Sequence, residues 1–291
     1  MLKTYKSIII IILIIFSQNC SRKSNFEKAM EYYNSMKTTQ ALLLLKNSTV
    51  PRELYLEGVI YLSLNDPRSA VASFDKLLDI DQGWKKNVIA DLEEAADNAI
   101  SRGMDFTAKL MLEKILEYND EFELGIRNFF LGDWYFDSRE YDKAINFYEA
   151  GINYDSLNLD ARFRLAQCYI YEDDLLLAFQ HLKKGVEIHK HWRFKYWLGK
   201  ISFMLAKKRF EEGNYSSSEL YLAQVISIGL PKVLVDDAYF LLGDIRLGQE
   251  EYKEAESCYK KVLLINQFAK PKIVKDAEER LRIIKNMEES L

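Results

Sequence analysis

Residues 125–158 read GIRNFFLGDWYFDSREYDKAINFYEAGINYDSLN and contain one complete helical hairpin. Asn128, Leu131, Gly132 and Tyr135 recur at i, i+3, i+4 and i+7, one face of a helix. The short polar stretch Ser138-Arg139-Glu140 suits a turn between antiparallel helices, and a second helical pattern then carries Ala144 and Tyr148. The same set returns about every 34 residues. It occurs earlier as Glu57-Gly58, Tyr61, Ala70 and Phe74, and later as Leu165-Ala166, Tyr169, Ala178 and Leu182. It occurs once more as Leu242-Gly243, Arg246, Ala255 and Tyr259. A fixed period of this kind means stacked supersecondary units, each packed on its neighbours, rather than one globular core. Function then resides in a surface, and binding is expected over catalysis.

The recurring residue sizes carry a packing argument. A mid-helix glycine costs roughly 1 kcal/mol against alanine, so Gly58, Gly132 and Gly243 need a compensating reason. Close approach of the second helix to the first supplies one. Ala70, Ala108, Ala144, Ala178 and Ala255 are then the matching small positions on the second helices. Phe74, Leu112, Tyr148, Leu182 and Tyr259, four residues further on, are expected to fill the space between one unit and the next. The chain has only 4 prolines, Pro51, Pro67, Pro231 and Pro271, all at expected helix boundaries, and no run alternates with period two. An all-α fold follows.

These residues resemble the tetratricopeptide repeat (TPR), a helix–turn–helix unit. The likeness runs over roughly residues 24–269, with units at 51–84, 89–122, 125–158, 159–192 and 236–269. A degenerate unit occupies 25–50 and a longer irregular one 193–232, while 270–291 reads as a capping helix. In 89–122 the motif is worn to Leu92, Ala96, Ala99, Gly103, Ala108 and Leu112. The irregular unit either bridges two sub-arrays or projects as a binding ridge. The resemblance implies a right-handed α-α superhelical solenoid whose first helices line a concave groove. The positions it assigns to that groove are Tyr55 and Val59, Glu93 and Asp97, Phe129 and Asp133, Phe163 and Gln167, and Phe240 and Asp244. Three of these pairs are Phe followed four residues later by an acid or amide, on one helix face. An exposed Phe row beside carboxylates suits a peptide carrying apolar and basic groups, whereas the same Phe could instead be covered by the next unit's helix.

The N-terminus reads as an address. Lys3 and Lys6 precede an unbroken apolar run from Ile8 to Phe16, and Ser17-Gln18-Asn19 lead to Cys20. The run spans roughly 14 Å as helix, about half a hydrocarbon core. Residues 1–20 resemble the signal of bacterial lipoproteins with a relaxed, spirochaete-type lipobox, in which Cys20 becomes the acylated first residue and 20–24 a short tether. The alternative is an ordinary secretory signal or an uncleaved anchor. The whole chain carries a formal −4, and loss of Lys3 and Lys6 makes the remainder more acidic, so lipid rather than charge is expected to hold the protein at a membrane.

Several function classes fall away on composition. Lys and Arg are spread along the chain, with no basic stripe for nucleic acid. His189-Lys190-His191 lacks accompanying ligands, so no metal site and no cofactor is expected, and no catalytic motif occurs. Cys168 and Cys258 read as small core residues rather than a disulfide. The resemblances together imply a non-enzymatic interaction scaffold in the bacterial cell envelope, binding other proteins or peptides. Outer-membrane protein assembly is the nearest analogy. A surface-exposed ligand binder and a periplasmic adaptor for wall growth or division are the other readings.

Overall fold

The computed structural model describes residues 23–265 and 271–289; the proposed signal and Cys20 lie outside them. Helices follow one another with no strand among the described residues. They are α1 (Asn25–Asn34), α2 (Thr38–Leu45), α3 (Pro51–Ser63), α4 (Pro67–Ile80), α5 (Lys85–Ser101) and α6 (Asp105–Tyr118). Then come α7 (Arg127–Asp137), α8 (Tyr141–Tyr154), α9 (Leu159–Tyr171), α10 (Leu175–Ile188), α11 (Trp192–Glu211), α12 (Tyr215–Ile228), α13 (Val235–Gly248), α14 (Tyr252–Ile265) and α15 (Pro271–Glu289). The chain divides into two compact units at 122/123, so α1–α6 form one and α7–α15 the other. No described helix is long and apolar enough to cross a membrane.

Every hairpin from α1–α2 to α13–α14 closes with the same turn. A left-handed residue stands second in each: Met36, Asn65, Gly103, Arg139, Asp173, Gly213 and Glu250. The following amide reaches back five residues to a carbonyl of the first helix, as in Asp66 to Tyr61 (3.0 Å), Glu140 to Tyr135 (2.9 Å) and Glu251 to Arg246 (2.9 Å). Such 6→1 bonds satisfy carbonyls that a helix end leaves orphaned. The degenerate unit (Lys37 to Tyr32, 2.8 Å) and the worn unit (Met104 to Ala99, 2.9 Å) close identically. In several hairpins a side chain caps the second helix: Asp66, Asp174 and Asn214 each accept an amide three residues on. Pro51, Pro67 and Pro271 open helices, where a missing N–H is harmless.

The small and large positions pack as a set, with one correction. Ala70, Ala108, Ala144, Ala178 and Ala255 are fully buried, as are Phe74, Leu112, Tyr148, Leu182 and Tyr259. The glycine, however, makes room for the ring four residues after the alanine rather than for the second helix itself. A Cβ on Gly58 would meet the Phe74 ring at 2.4 Å, and on Gly132 or Gly243 the ring of Tyr148 or Tyr259 at 2.7 Å. The aromatic thus locks its own hairpin, lying over the first helix it was expected to leave behind.

Two boundaries differ from the sequence reading. Helix α5 starts at Lys85, four residues before the 89–122 register, because the 3-10 turn Gln82–Trp84 feeds straight into it and Val88 is fully buried. The irregular unit is an ordinary hairpin when read from its C-terminal end. Ala206, Ser218 and Leu222 stand where Gly132, Ala144 and Tyr148 stand, all fully buried, and Ser218 Oγ donates to the Ala206 carbonyl at 2.8 Å. The extra length lies at the N-terminal end of α11. That extension packs rather than projects: Phe194 and Leu198 join a core with Phe163, Ala166, Leu175 and Leu182, which Ile201 and Leu205 continue. The same helix also packs on the hairpin that follows, where Ala206 shares a core with Ala238 and Ile245.

Candidate functional site

In the second unit the first helices α7, α9 and α11 enclose a concavity of about 600 Å³. Four residues assigned to a groove by resemblance line it: Phe129, Asp133, Phe163 and Gln167. The expected row of exposed Phe is not what they form. Phe163 is 7% exposed, because Phe194 meets it edge-on at 5.4 Å and Trp197 at 6.5 Å. Phe129 is half-buried, its ring seated where a Cβ on Gly151 would stand 2.5 Å away. The aromatic floor is therefore partly filled by the neighbouring helix and by Arg193, whose guanidinium lies 4.2 Å over the Phe163 ring.

The carboxylates hold the array together as well as facing the groove. The Tyr148 hydroxyl donates to Asp133 at 2.5 Å, and Arg164, from the next first helix, approaches Asp133 at 3.5 Å and Asp137 at 3.4 Å. The arrangement recurs at the other end of the unit, where Tyr259 donates to Asp244 at 2.8 Å and Arg280 of α15 reaches it at 3.0 Å. The C-terminal helix thus supplies the contact that a following unit would. Burial pushes the Tyr148 and Tyr259 hydroxyls well above the ordinary tyrosine range, their bonded carboxylates adding to the effect, so both remain donors. Tyr148→Phe is expected to cost about 1 kcal/mol in denaturant unfolding without changing the helical spectrum. Unchanged stability would show that the tyrosine acts by ring packing alone.

The other assigned residues lie elsewhere. Phe240 packs against Tyr259 at 5.6 Å, and neither it nor Asp244 lines the concavity. In the first unit, Tyr55 lies 4.7 Å from Trp84 and donates to Asp91 at 2.5 Å. Val59 and Glu93 are half-buried, Asp97 is exposed, and both acids are engaged by neighbours. Burial raises the Asp91 carboxyl to about 6 against the lowering effect of the Tyr55 bond, with Glu94 contributing.

Sequence reasoning passes over Phe136, Asp137, Asp160, Arg164 and Arg193, which also line the groove. Helical spacing contains most of the signal. Asp137 follows Asp133 by one turn, and Asp160, Arg164 and Gln167 share a face at i, i+4 and i+7. Arg193 has no such signal, since its place depends on where the extension of α11 packs.

Cys168 is buried and its thiol is pushed up to about 12 by burial; neither it nor Cys258 is in a disulfide. His191 accepts the Arg193 amide at 3.2 Å, capping α11. Among the described residues no three His, Cys, Asp or Glu side chains cluster as a metal site.

The family model for the tetratricopeptide repeat matches residues 54–83 and 236–268. Those two stretches, which fall on the α3–α4 and α13–α14 hairpins, therefore match the tetratricopeptide repeat, and the other hairpins from α1 to α12 close with the same turn. Among solved structures, the C-terminal part of a TPR repeat-containing protein from Cytophaga hutchinsonii is 15% identical, covering 86% of this chain and 98% of that one at a TM-score of 0.41. YrrB, described as a TPR protein with an unusual peptide-binding site, is 20% identical over 66% of this chain and 91% of its own, at 0.35. A tetratricopeptide repeat protein from Parabacteroides merdae is 18% identical over 90% and 97%, at 0.31. No curated protein matches the chain.

Proposed function

We propose that this protein is a protein-interaction scaffold of the bacterial cell envelope, lipid-anchored through Cys20, and that the concavity of α7, α9 and α11 receives a segment of its partner. The carrying observation is that concavity, which gathers residues from three helices into one apolar and charged surface. Concave sites with a few convergent polar groups are the default binding hypothesis for a fold without a catalytic constellation. The membrane part rests on residues 1–20, where a short apolar run ends at a cysteine. Two acyl chains at about 0.8 kcal/mol per buried CH₂ suffice to retain a water-facing domain at a bilayer.

Both parts are open to direct test in cells. Labelled palmitate should enter the protein but not its Cys20→Ala form, which should leave the membrane fraction. A photo-crosslinking residue at Gln167, in the groove, should trap an envelope polypeptide, whereas one at Glu187, exposed on α10 outside it, should not. Equal crosslinking from both positions would remove the groove from the proposal, and a Cys20→Ala form still at the membrane would remove the lipid.

A further inference from the structure

Two clusters of one chemical type line the groove. In the first, the Arg164 guanidinium lies 5.2 Å over the Phe136 ring, with Asp133 and Asp137 at 3.5 and 3.4 Å. In the second, Arg193 lies 4.2 Å over Phe163 and donates to Asp160 at 2.6 Å. Each places a cation on an aromatic face beside a carboxylate, and the chain's own arginines occupy the places. We propose that the groove selects a cationic segment, one bearing arginine or lysine among apolar residues, and that Asp137 and Asp160 make the selection. The inference rests on the groove being the binding surface.

Charge and exposure give the direction. Asp133, Asp137 and Asp160 outnumber Arg164 and Arg193 along the groove. The arginine side chains are 37% and 36% exposed, each placed over a ring, whereas Asp137 and Asp160 are 74% and 85% exposed. An approaching ligand therefore meets carboxylates first. Asp133 is already committed to Tyr148 and Arg164. Asp137 is held only at 3.4 Å, beyond the usual N–H···O range, and Asp160 uses Oδ1 alone for its bond to Arg193. Both retain acceptor capacity for an incoming ammonium or guanidinium, and a carboxylate can accept from more than one donor. An anionic ligand would have to pass these carboxylates to reach guanidiniums already neutralised, and like-charge juxtaposition disfavours it.

The test uses three labelled nine-residue peptides, alternating leucine with arginine, glutamate or glutamine, titrated into the full chain in detergent. The arginine peptide should bind at least about tenfold more tightly than the glutamate peptide, and more weakly as salt rises. Asp137→Asn with Asp160→Asn should lower its affinity about tenfold and leave the glutamine peptide unchanged. Both positions are exposed, so an unchanged thermal melt should accompany the loss. Equal or tighter binding of the glutamate or glutamine peptide, competing with crosslinking at Gln167, would overturn the charge selection and leave the groove standing. Arginine-peptide binding untouched by the two substitutions would overturn the assignment to Asp137 and Asp160. Failure of all three peptides to bind would remove the groove itself.

Discussion

Gly199→Ala should destabilise the second unit by about 3 kcal/mol, the largest effect expected of any glycine in the protein. Gly199 lies in the N-terminal extension of α11, and the loop after α12 passes directly over it. A Cβ there would stand 1.7 Å from the Leu230 carbonyl oxygen and 2.9 Å from its carbon. Gly132 and Gly243 face rings that can tilt, but here the obstacle is main chain, so either the loop or the helix must move. Alanine's better helix propensity returns only about 1 kcal/mol. Gly248 is the control: it ends α13, and a Cβ there would meet nothing within 4 Å, so Gly248→Ala should be neutral or slightly stabilising. Denaturant unfolding and limited proteolysis of residues 192–234 would report the difference. A Gly199→Ala protein as stable as the parent would mean that the loop does not hold the extension in place.

Asp91→Asn should stabilise the first unit at neutral pH by about 2 kcal/mol, with the gain vanishing in acid. Asp91 lies on α5, beneath Tyr55 of α3. Burial, the leading cause, raises its carboxyl to about 6, the Tyr55 hydroxyl opposes the shift, and Glu94 on the same helix adds to it. An unfolded-chain aspartate titrates near 3.9. Below that value both states hold the proton and the group costs nothing. Between about 4 and 6 the unfolded chain ionises first, so this group's contribution to stability falls as pH rises, and above 6 the full penalty applies. Asparagine carries no charge to bury, and its carbonyl can still accept from Tyr55. The parent and variant should therefore unfold alike at pH 4 and diverge by pH 7.5. Equal stability at both pH values would show that the Asp91 carboxylate remains well solvated in the folded unit.

The framework is legible where a residue's role is local. Ala144, Tyr148 and their counterparts are set by contacts within one hairpin, and their spacing survives in the worn unit as Ala96, Ala108 and Leu112, all fully buried. The unit 193–232 reads as irregular because the extra length of its first helix shifts the register, although Ser218 then packs in the small position with its hydroxyl bonded to the Ala206 carbonyl. The groove is legible by halves. Phe129, Asp133, Phe163 and Gln167 lie where helical phase puts them, but their exposure depends on what the next helix lays over them. Arg193 and Phe194 cover Phe163 from a helix whose extra turns no repeat pattern anticipates. Phase is a property of one helix, and burial is a property of its neighbours.

The Tyr–Asp–Arg contacts give the second unit a polarity. Tyr148 and Asp133 are completed by Arg164 of the following hairpin, and Tyr259 and Asp244 by Arg280 of the last helix. Each of these two hairpins is thus finished by what comes after it in the chain. Stripping α15 would leave Asp244 without its guanidinium and uncover the core that Ala277 and Ile284 share with Tyr259. In an array stabilised between nearest neighbours, loosening then begins at the C-terminal end and travels inward. Arg164 is also a wall of the groove, so the side chain that finishes one hairpin is one that a ligand in the concavity would meet.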